Sequence, residues 1–133
     1  MGYGGGLVLL SVLVSTGCAM NHPTPEQIAT ASYGQYPDNY QEIIQSYMSS
    51  ILFDPTSVMY SEWRGPSKGY FQDDGKAVFG YRVCVEVNAK NRMGGYTGWQ
   101  VQFFMIKDGR VIHSEGAYRY GIAGEEMIFN AYN

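Results

Sequence analysis

Charge, cysteine and histidine are all scarce in this chain. Charged residues make up 16% of the 133 residues and the formal net charge is −3, so the chain lacks the basic face that a nucleic-acid-binding protein needs. Its two cysteines, Cys18 and Cys84, cannot form a framework of several disulfides. Its two histidines lie far apart along the chain, and the sequence favours neither a metal site nor a cofactor. The fold must therefore be held together by an apolar core.

A long hydrophobic run is also missing. The longest apolar stretch, Leu7–Val14, is too short to span a bilayer, since a spanning helix needs roughly 20 apolar residues. Its length fits a buried strand or the centre of a secretory signal, which is roughly 7–15 residues long and is followed by small residues at the cleavage point. The sequence that follows, Ser15-Thr16-Gly17-Cys18, resembles the lipobox of bacterial lipoproteins. A buried N-terminal strand with a free cysteine is the alternative.

The lipobox resemblance implies a compartment and an anchor. It implies that residues 1–17 are a signal peptide, that Cys18 is acylated on its thiol and new amine, and that the chain is held at a membrane by this lipid. Ala19 carries no inner-membrane retention signal, which implies the outer membrane, with the protein facing the periplasm. Residues 18–36 then predict a tether, stiffened by Pro23 and Pro25, and a short helix with Thr24 as its cap can form within it.

Residues 37–133 predict one α+β domain. Apolar residues recur at helical spacing from Tyr40 to Leu52, and Asp38 followed by Gln41 resembles a capping box, so an amphipathic helix is expected before Pro55. From residue 57 the period changes to two, which predicts strands over 57–64, 77–90, 99–107 and 110–120. Residues 65–77 are expected to form a loop or loose hairpin, with a turn at Asp74-Gly75. We expect one N-terminal helix packed on an antiparallel sheet of about four strands, in two layers, and a tail that forms a short helix or caps the core.

The connection between the second and third strands is the most distinctive candidate site. The sequence AKNRMGGYTGW, residues 89–99, combines cations, an amide and aromatic rings with glycines that permit close backbone approach. Such a loop can grip a protein or a glycan strand, and a flexible surface loop is the alternative. A second candidate is a polar sheet face around Arg82, Glu86, Gln100 and Gln102. The candidate binding residues are Lys90, Asn91, Arg92, Tyr96, Trp99 and Arg82.

Two stretches carry a wider resemblance. The helix ending in Asp54-Pro55-x-Ser57, and the strand leading into Asn88-Ala89-Lys90-Asn91 and then Gly94–Gly98, resemble small lipoproteins of Gram-negative bacteria over roughly residues 36–112. This resemblance implies an envelope location and a constrained loop, and it implies no activity.

Three classes of function remain open. The first is a non-enzymatic envelope lipoprotein, anchored at Cys18, that binds an envelope protein or peptidoglycan, with membership of an envelope or secretion assembly left open. The second is a periplasmic hydrolase, which requires a concave pocket with at least two of Glu62, Glu86, Glu115 and His113. The third is a binder of a small apolar ligand, held between the helix and the sheet among large side chains such as Tyr47, Met48 and Phe103–Met105.

Overall fold

The computed structural model describes residue 2 and residues 22–116 of the chain. In this part the chain forms α1 (Pro25–Thr30), α2 (Tyr40–Ile51), a single 3₁₀ turn (Pro55–Ser57) and strands β1 (Met59–Asp73), β2 (Lys76–Asn88), β3 (Gln100–Lys107) and β4 (Arg110–Glu115). The strands make one antiparallel sheet in the order β1-β2-β3-β4. The predicted α+β class and four-stranded sheet are confirmed, with two helices in this part of the chain.

Several sequence predictions lie outside the described residues. They are the signal peptide over residues 1–17, the acylated Cys18, the last residues of the predicted fourth strand and the tail over residues 121–133. Within residues 22–116, no helix is both long enough and apolar enough to cross a bilayer.

The segment predicted as a tether contains helix α1. The Thr24 hydroxyl accepts a hydrogen bond from the Gln27 N–H, and the Gln27 side chain accepts one from the Thr24 N–H, so a capping box fixes the first turn. Helix α1 buries none of its residues. Just after it, the buried Tyr33 ring packs edge-on against Phe79, with centroids 5.5 Å apart. Buried packing of the chain on the sheet therefore begins at Tyr33, inside this segment.

Helix α2 has the predicted apolar stripe but not the predicted cap. Ile44 and Met48 are fully buried against the sheet. The N-cap is Asn39 instead of Asp38, and it makes no side-chain capping bond. Main-chain bonds take over this role, because the Tyr40 N–H donates to the Pro37 carbonyl oxygen, and the helix starts one residue later than the capping-box pattern suggested. The cap prediction at Asp38 is therefore wrong.

The core lies between α2 and one face of the sheet. Strand β2 buries alternate residues, Val83, Val85 and Val87, and β3 adds Phe104 and Ile106. The Tyr47 ring meets Phe104 edge-on at 6.0 Å, and its hydroxyl lies 3.1 Å from the Ser114 Oγ of β4. The alternation in β2 follows the predicted period. In β3 both alternating sets are rich in apolar residues, so only the fold decides that Phe104 and Ile106 face α2.

Strand β1 corrects the prediction of a loop over residues 65–77. It runs through 15 residues, with register shifts on both sides of Arg64. These shifts bring Gly65 so close to β2 that a Cβ on it would lie 2.6 Å from the Arg82 carbonyl oxygen, at a φ of +99°. A glycine is required at this contact, and it is part of a bulged strand rather than a loop. The two-residue turn at Asp74-Gly75 matches the prediction, and Asp108-Gly109 makes the same kind of turn in the gap between the third and fourth predicted strands; every φ in both turns is positive.

We call the face of the sheet opposite α2 the outer face. Beyond the bulges, residues 67–73 of β1 curve over this face. Here the Phe71 ring of β1 stacks on the His113 ring of β4, 4.1 Å apart and nearly parallel. Gly80 leaves room on this face, since a Cβ there would lie 2.7 Å from the Ile106 carbonyl oxygen and 3.1 Å from the Met105 Sδ. Met105 is consequently buried, and the far half of the outer face is partly closed on itself.

Candidate functional site

The loop between β2 and β3, residues 89–99, is fixed by one side chain at its tip. The Asn91 Oδ1 accepts hydrogen bonds from the N–H groups of Met93, at 3.0 Å, and Gly95, at 3.1 Å. Main-chain bonds from Asn91 to the Gly95 carbonyl and from Gly94 to the Asn91 carbonyl close the same turn. Asparagine suits this position because its short amide bonds to main-chain groups a few residues ahead. Of the predicted binding residues, Asn91 therefore uses its oxygen within the loop.

The base of the loop is fixed by a second asparagine. The buried Asn88 Oδ1 accepts a hydrogen bond from the Gly98 N–H at 3.1 Å. The Ala89 carbonyl oxygen accepts two hydrogen bonds from Thr97, one from its N–H and one from its hydroxyl. Lys90 and Tyr96 form an isolated antiparallel bridge. The loop is thus a closed unit that projects from the end of the sheet.

The Asp54-Pro55-x-Ser57 sequence supports the loop from the side of α2. The Ser57 hydroxyl donates to the Asp54 carbonyl oxygen at 2.9 Å, and its Oγ lies 3.4 Å from the Lys90 N–H, which donates to it. Thr56 donates to the Asp54 carboxylate at 2.7 Å. The two motifs on which the lipoprotein resemblance rests are far apart in the sequence, and this Ser57–Lys90 contact joins them in space.

This scaffold displays apolar and cationic side chains together. Met93 is 95% exposed, Phe53 72%, Trp99 49% and Tyr96 48%. The Arg92 guanidinium lies 6.0 Å from the centre of the Phe53 ring, and the Lys90 ammonium lies 5.4 Å from that of Tyr96. We call the loop over residues 89–99 together with Phe53 the loop end. Such a surface can bury apolar area and attract anionic groups at the same time.

Two of these residues were missed by sequence reasoning. Met93 belongs to the predicted loop but is not among the predicted binding residues, although it is an apolar residue between a cation and two glycines. Phe53 lies one position beyond the apolar stripe of α2, which was the available signal that it does not belong to the core. Its closeness to Arg92 depends on the Ser57–Lys90 contact and could not be read from the sequence.

The sixth predicted binding residue, Arg82, lies elsewhere. It is on the outer face, between Ser67 of β1 and Met105 of β3, and its guanidinium lies 4.3 Å from the centre of the Phe103 ring. The predicted polar face around it is also divided. Glu86 shares the outer face, paired with Val101, whereas Gln102 is buried on the α2 side and pairs with Val85. The expectation that Arg82, Glu86, Gln100 and Gln102 share one face is therefore wrong.

Of the four proposed catalytic groups, two meet on the outer face. The His113 Nε2 lies 2.7 Å from the Glu115 Oε1, and both side chains are partly exposed. Glu62 is an exposed residue at the first β1 bulge with a φ of +52°, and Glu86 is half-buried between Ser61 and Val101. The sheet thus brings His113 and Glu115 together, while Glu62 and Glu86 take other positions.

Cys84 lies on the outer face between Arg64 and Phe103. Burial raises the pKa of its thiol, and this outweighs the lowering effect of Arg64 and Arg82. The thiol is consequently protonated at neutral pH, which is the less reactive form. The residue has the environment of a half-buried structural cysteine, not that of a nucleophile.

The described residues also bear on the metal-site and small-ligand alternatives. Among residues 22–116, no three His, Cys, Asp or Glu side chains come together as metal ligands do. The large side chains proposed to surround an apolar ligand lie on both faces of the sheet. Met48 and Phe104 belong to the buried cluster and Tyr47 packs against it, whereas Phe103 and Met105 lie on the outer face. A cavity of about 630 Å³ lies at the other end of the sheet, between α1 and the β1–β2 hairpin, lined by residues that include His22, Gln27, Lys76 and Phe79.

Comparison with known proteins adds no family to this description. No protein-family model matches the chain, and neither a curated protein nor a solved structure similar to it was found.

Proposed function

We propose that this chain is a lipid-anchored lipoprotein of the bacterial envelope that works as a non-enzymatic binding module, with the loop end as its contact surface. Its partner is an envelope component, and membership of an envelope or secretion assembly fits such a role. In this proposal the domain has two layers, in which the amphipathic helix α2 backs the sheet and stiffens the strands that carry the loop. The rigid loop with its displayed apolar side chains is the observation that carries the proposal.

The anchor rests on the sequence Ser15-Thr16-Gly17-Cys18. Each buried CH₂ of an acyl chain contributes about 0.8 kcal/mol, so one chain binds a membrane weakly and two or more bind it stably. A multiply acylated Cys18 would therefore hold the domain permanently, and Ala19 favours the outer membrane, facing the periplasm. Residues 1–17 would be removed as the signal peptide.

The position of His22, near the start of the described residues, supports a contact surface directed away from the anchor. His22 lies beside the β1–β2 hairpin, where its Nδ1 is 3.5 Å from the Tyr70 hydroxyl. Strand β2 runs from that hairpin to the loop through 13 residues, and at about 3.3 Å per residue its two ends are about 40 Å apart along the strand. A domain anchored just before His22 thus carries its loop end away from the anchoring membrane.

The proposal has a two-part test. Intact-mass measurement of the membrane-extracted protein should give the mass of residues 18–133 plus acyl groups, and a full-length chain with a bare thiol would refute the anchor. For the contact surface, the protein is held by its anchor in nanodiscs and mixed with washed envelope fragments, and its binding to them should weaken with Arg92→Ala and with Tyr96→Ala. The matched control is Lys76→Ala at the opposite end of the sheet. If both loop variants bind the fragments as the unchanged protein does, the loop end is not the contact surface.

A hydrolase that uses carboxylates of the sheet is the second candidate. The 2.7 Å contact between His113 and Glu115 favours it, since a carboxylate that orients a histidine is a common part of hydrolytic sites. A purified protein that hydrolyses envelope glycan or ester substrates, and loses this activity with Glu115→Gln at unchanged stability, would establish this function. Retained activity in that variant would remove it.

A further inference from the structure

We infer that the loop end binds the surface of an anionic phospholipid bilayer, with Met93 and Phe53 entering the acyl region and Lys90 and Arg92 meeting the phosphates. This inference rests on the proposed function in one respect, namely that the loop end is the contact surface, and it names the partner.

The first observation is the shape of the apolar surface. Met93 and Phe53 are the two most exposed of the large apolar side chains in the described part of the chain. A side chain that projects this far into solvent is buried by a partner that surrounds it, as a fluid bilayer does. Tyr96 and Trp99 are about half exposed beside them, and these two residue types prefer the boundary between headgroups and acyl chains.

The second observation is the hydrogen bonding of the loop backbone. Seven main-chain N–H groups of the loop already donate to acceptors within the protein: those of Lys90, Asn91, Met93, Gly94, Gly95, Thr97 and Gly98. A peptide partner that adds to a sheet edge is held by hydrogen bonds to such groups. A bilayer offers them no replacement for water, so it accepts only a loop whose polar backbone is satisfied internally.

The third observation is the sign of the charge. Residues 87–101 contain Lys90 and Arg92 and no Asp or Glu, in a chain with a net charge of −3. One carboxylate adjoins the loop end in the sequence, that of Asp54 next to Phe53, and it accepts a hydrogen bond from Thr56. Cations near a membrane surface are attracted to anionic lipids by an amount that corresponds to about a fivefold change in binding per residue. The loop end is therefore a local cationic site on an acidic protein.

The experiment uses the full membrane-extracted protein, placed through its own anchor in nanodiscs of neutral phosphatidylcholine. These nanodiscs are mixed with acceptor vesicles of phosphatidylcholine, with or without phosphatidylglycerol, and binding is measured by co-flotation. Acceptor vesicles with brominated acyl chains report on insertion, because they quench a tryptophan that reaches them. Trp63 packs between Tyr40 and Tyr60, so the quenching should come from Trp99.

We expect binding to the vesicles that contain phosphatidylglycerol, with blue-shifted and quenched Trp99 fluorescence and weaker binding in high salt. Arg92→Gln should weaken binding about fivefold and Met93→Ser about tenfold. The matched control is Ile28→Ser, which removes an exposed apolar residue from α1 at the opposite end of the sheet and should leave binding unchanged.

Three results would overturn the inference: no binding to anionic vesicles, binding without Trp99 quenching, or an equal loss with Ile28→Ser. If the true partner is a protein with a pocket for these side chains, the expected result is the first one, no binding to anionic vesicles. If Cys18 is not acylated, the proposed anchor is wrong, but the inference about the loop end can still be tested. If intact mass shows a bare Cys18, the chain is mixed with acceptor vesicles directly, and quenching of Trp99 with the same ranking of Arg92→Gln, Met93→Ser and Ile28→Ser still supports membrane contact by the loop end.

Discussion

The two ends of the sheet connect neighbouring strands in different ways. At one end, β1 joins β2 through Asp74-Gly75 and β3 joins β4 through Asp108-Gly109, each a two-residue turn. At the other end, residues 89–99 join β2 to β3, although two residues could make the same connection. Asn88, Asn91 and Ser57 hold this longer loop in one shape. Hydrogen bonds that order a loop longer than the connection requires are the contrast on which the proposed contact surface rests.

The largest expected effect should separate the core from the loop end. Phe104→Ala removes a fully buried ring from the interface between α2 and the sheet. It should lower the free energy of unfolding by about 3–5 kcal/mol, measured by urea denaturation. Ser50→Ala, on the exposed side of α2, is the control and should stay within about 0.5 kcal/mol. An equally small effect of both changes would contradict the position of the core.

A smaller loss is expected inside the loop. Asn88→Ala removes the buried acceptor of the Gly98 N–H, which should cost about 1–3 kcal/mol. Hydrogen exchange should speed up at Gly98, while the amides beside the Asp74-Gly75 turn keep their rates. If exchange at Gly98 is unchanged, the base of the loop is not held by Asn88 and the contrast between the two ends is weaker than the geometry implies.

Alkaline pH should reveal the packing of the α2–β1 side. Burial raises the pKa of Tyr60 from 10.0 to about 12, so the unfolded chain loses this proton at a lower pH than the folded one. The contribution to stability is thus complete below pH 10 and is lost as the pH rises from 10 to 12. The melting temperature of the unchanged protein should fall over this window. Tyr60→Phe should fall less steeply, and identical slopes in the two proteins would contradict the burial of the hydroxyl.

The smallest effect is expected from the pair on the outer face. The His113–Glu115 contact joins two partly exposed side chains, and such pairs contribute about 0–1 kcal/mol. Glu115→Gln should therefore change stability by less than Asn88→Ala does, as measured in the same urea titration. A loss larger than that of Asn88→Ala would show that the outer face, and not the loop end, contains the more important polar contacts.

Much of the fold could be predicted because its signals are local. The stripe of α2, the alternation of Val83, Val85 and Val87 and both Asp-Gly turns follow from spacing and turn chemistry. The path of β1 could not, because its bulges depend on how Gly65 meets the Arg82 carbonyl across the sheet. The inward face of β3 could not either, since apolar residues occupy both of its sides and Gln102 is buried among them.

The candidate site was predictable to the extent that it is contiguous in the sequence. Lys90, Arg92, Tyr96 and Trp99 lie together because they belong to one short loop. Phe53 lies beside them only because of tertiary packing. Arg82 does not lie beside them, because β2 places it far from the loop and alternate residues of a strand point to opposite faces of the sheet. Charge and residue type therefore identified the loop, while the fold determined its neighbours.

Site-specific photo-crosslinking in living bacteria is the most direct test of the claim that the loop end is the contact surface. A benzoylphenylalanine is introduced at Met93 in one strain and at Ile28, an exposed residue at the opposite end, in another. After illumination, we expect adducts from position 93, identified by mass as lipid or protein, and few from position 28. Adducts from position 28 alone, or equal yields from both positions, would contradict the account.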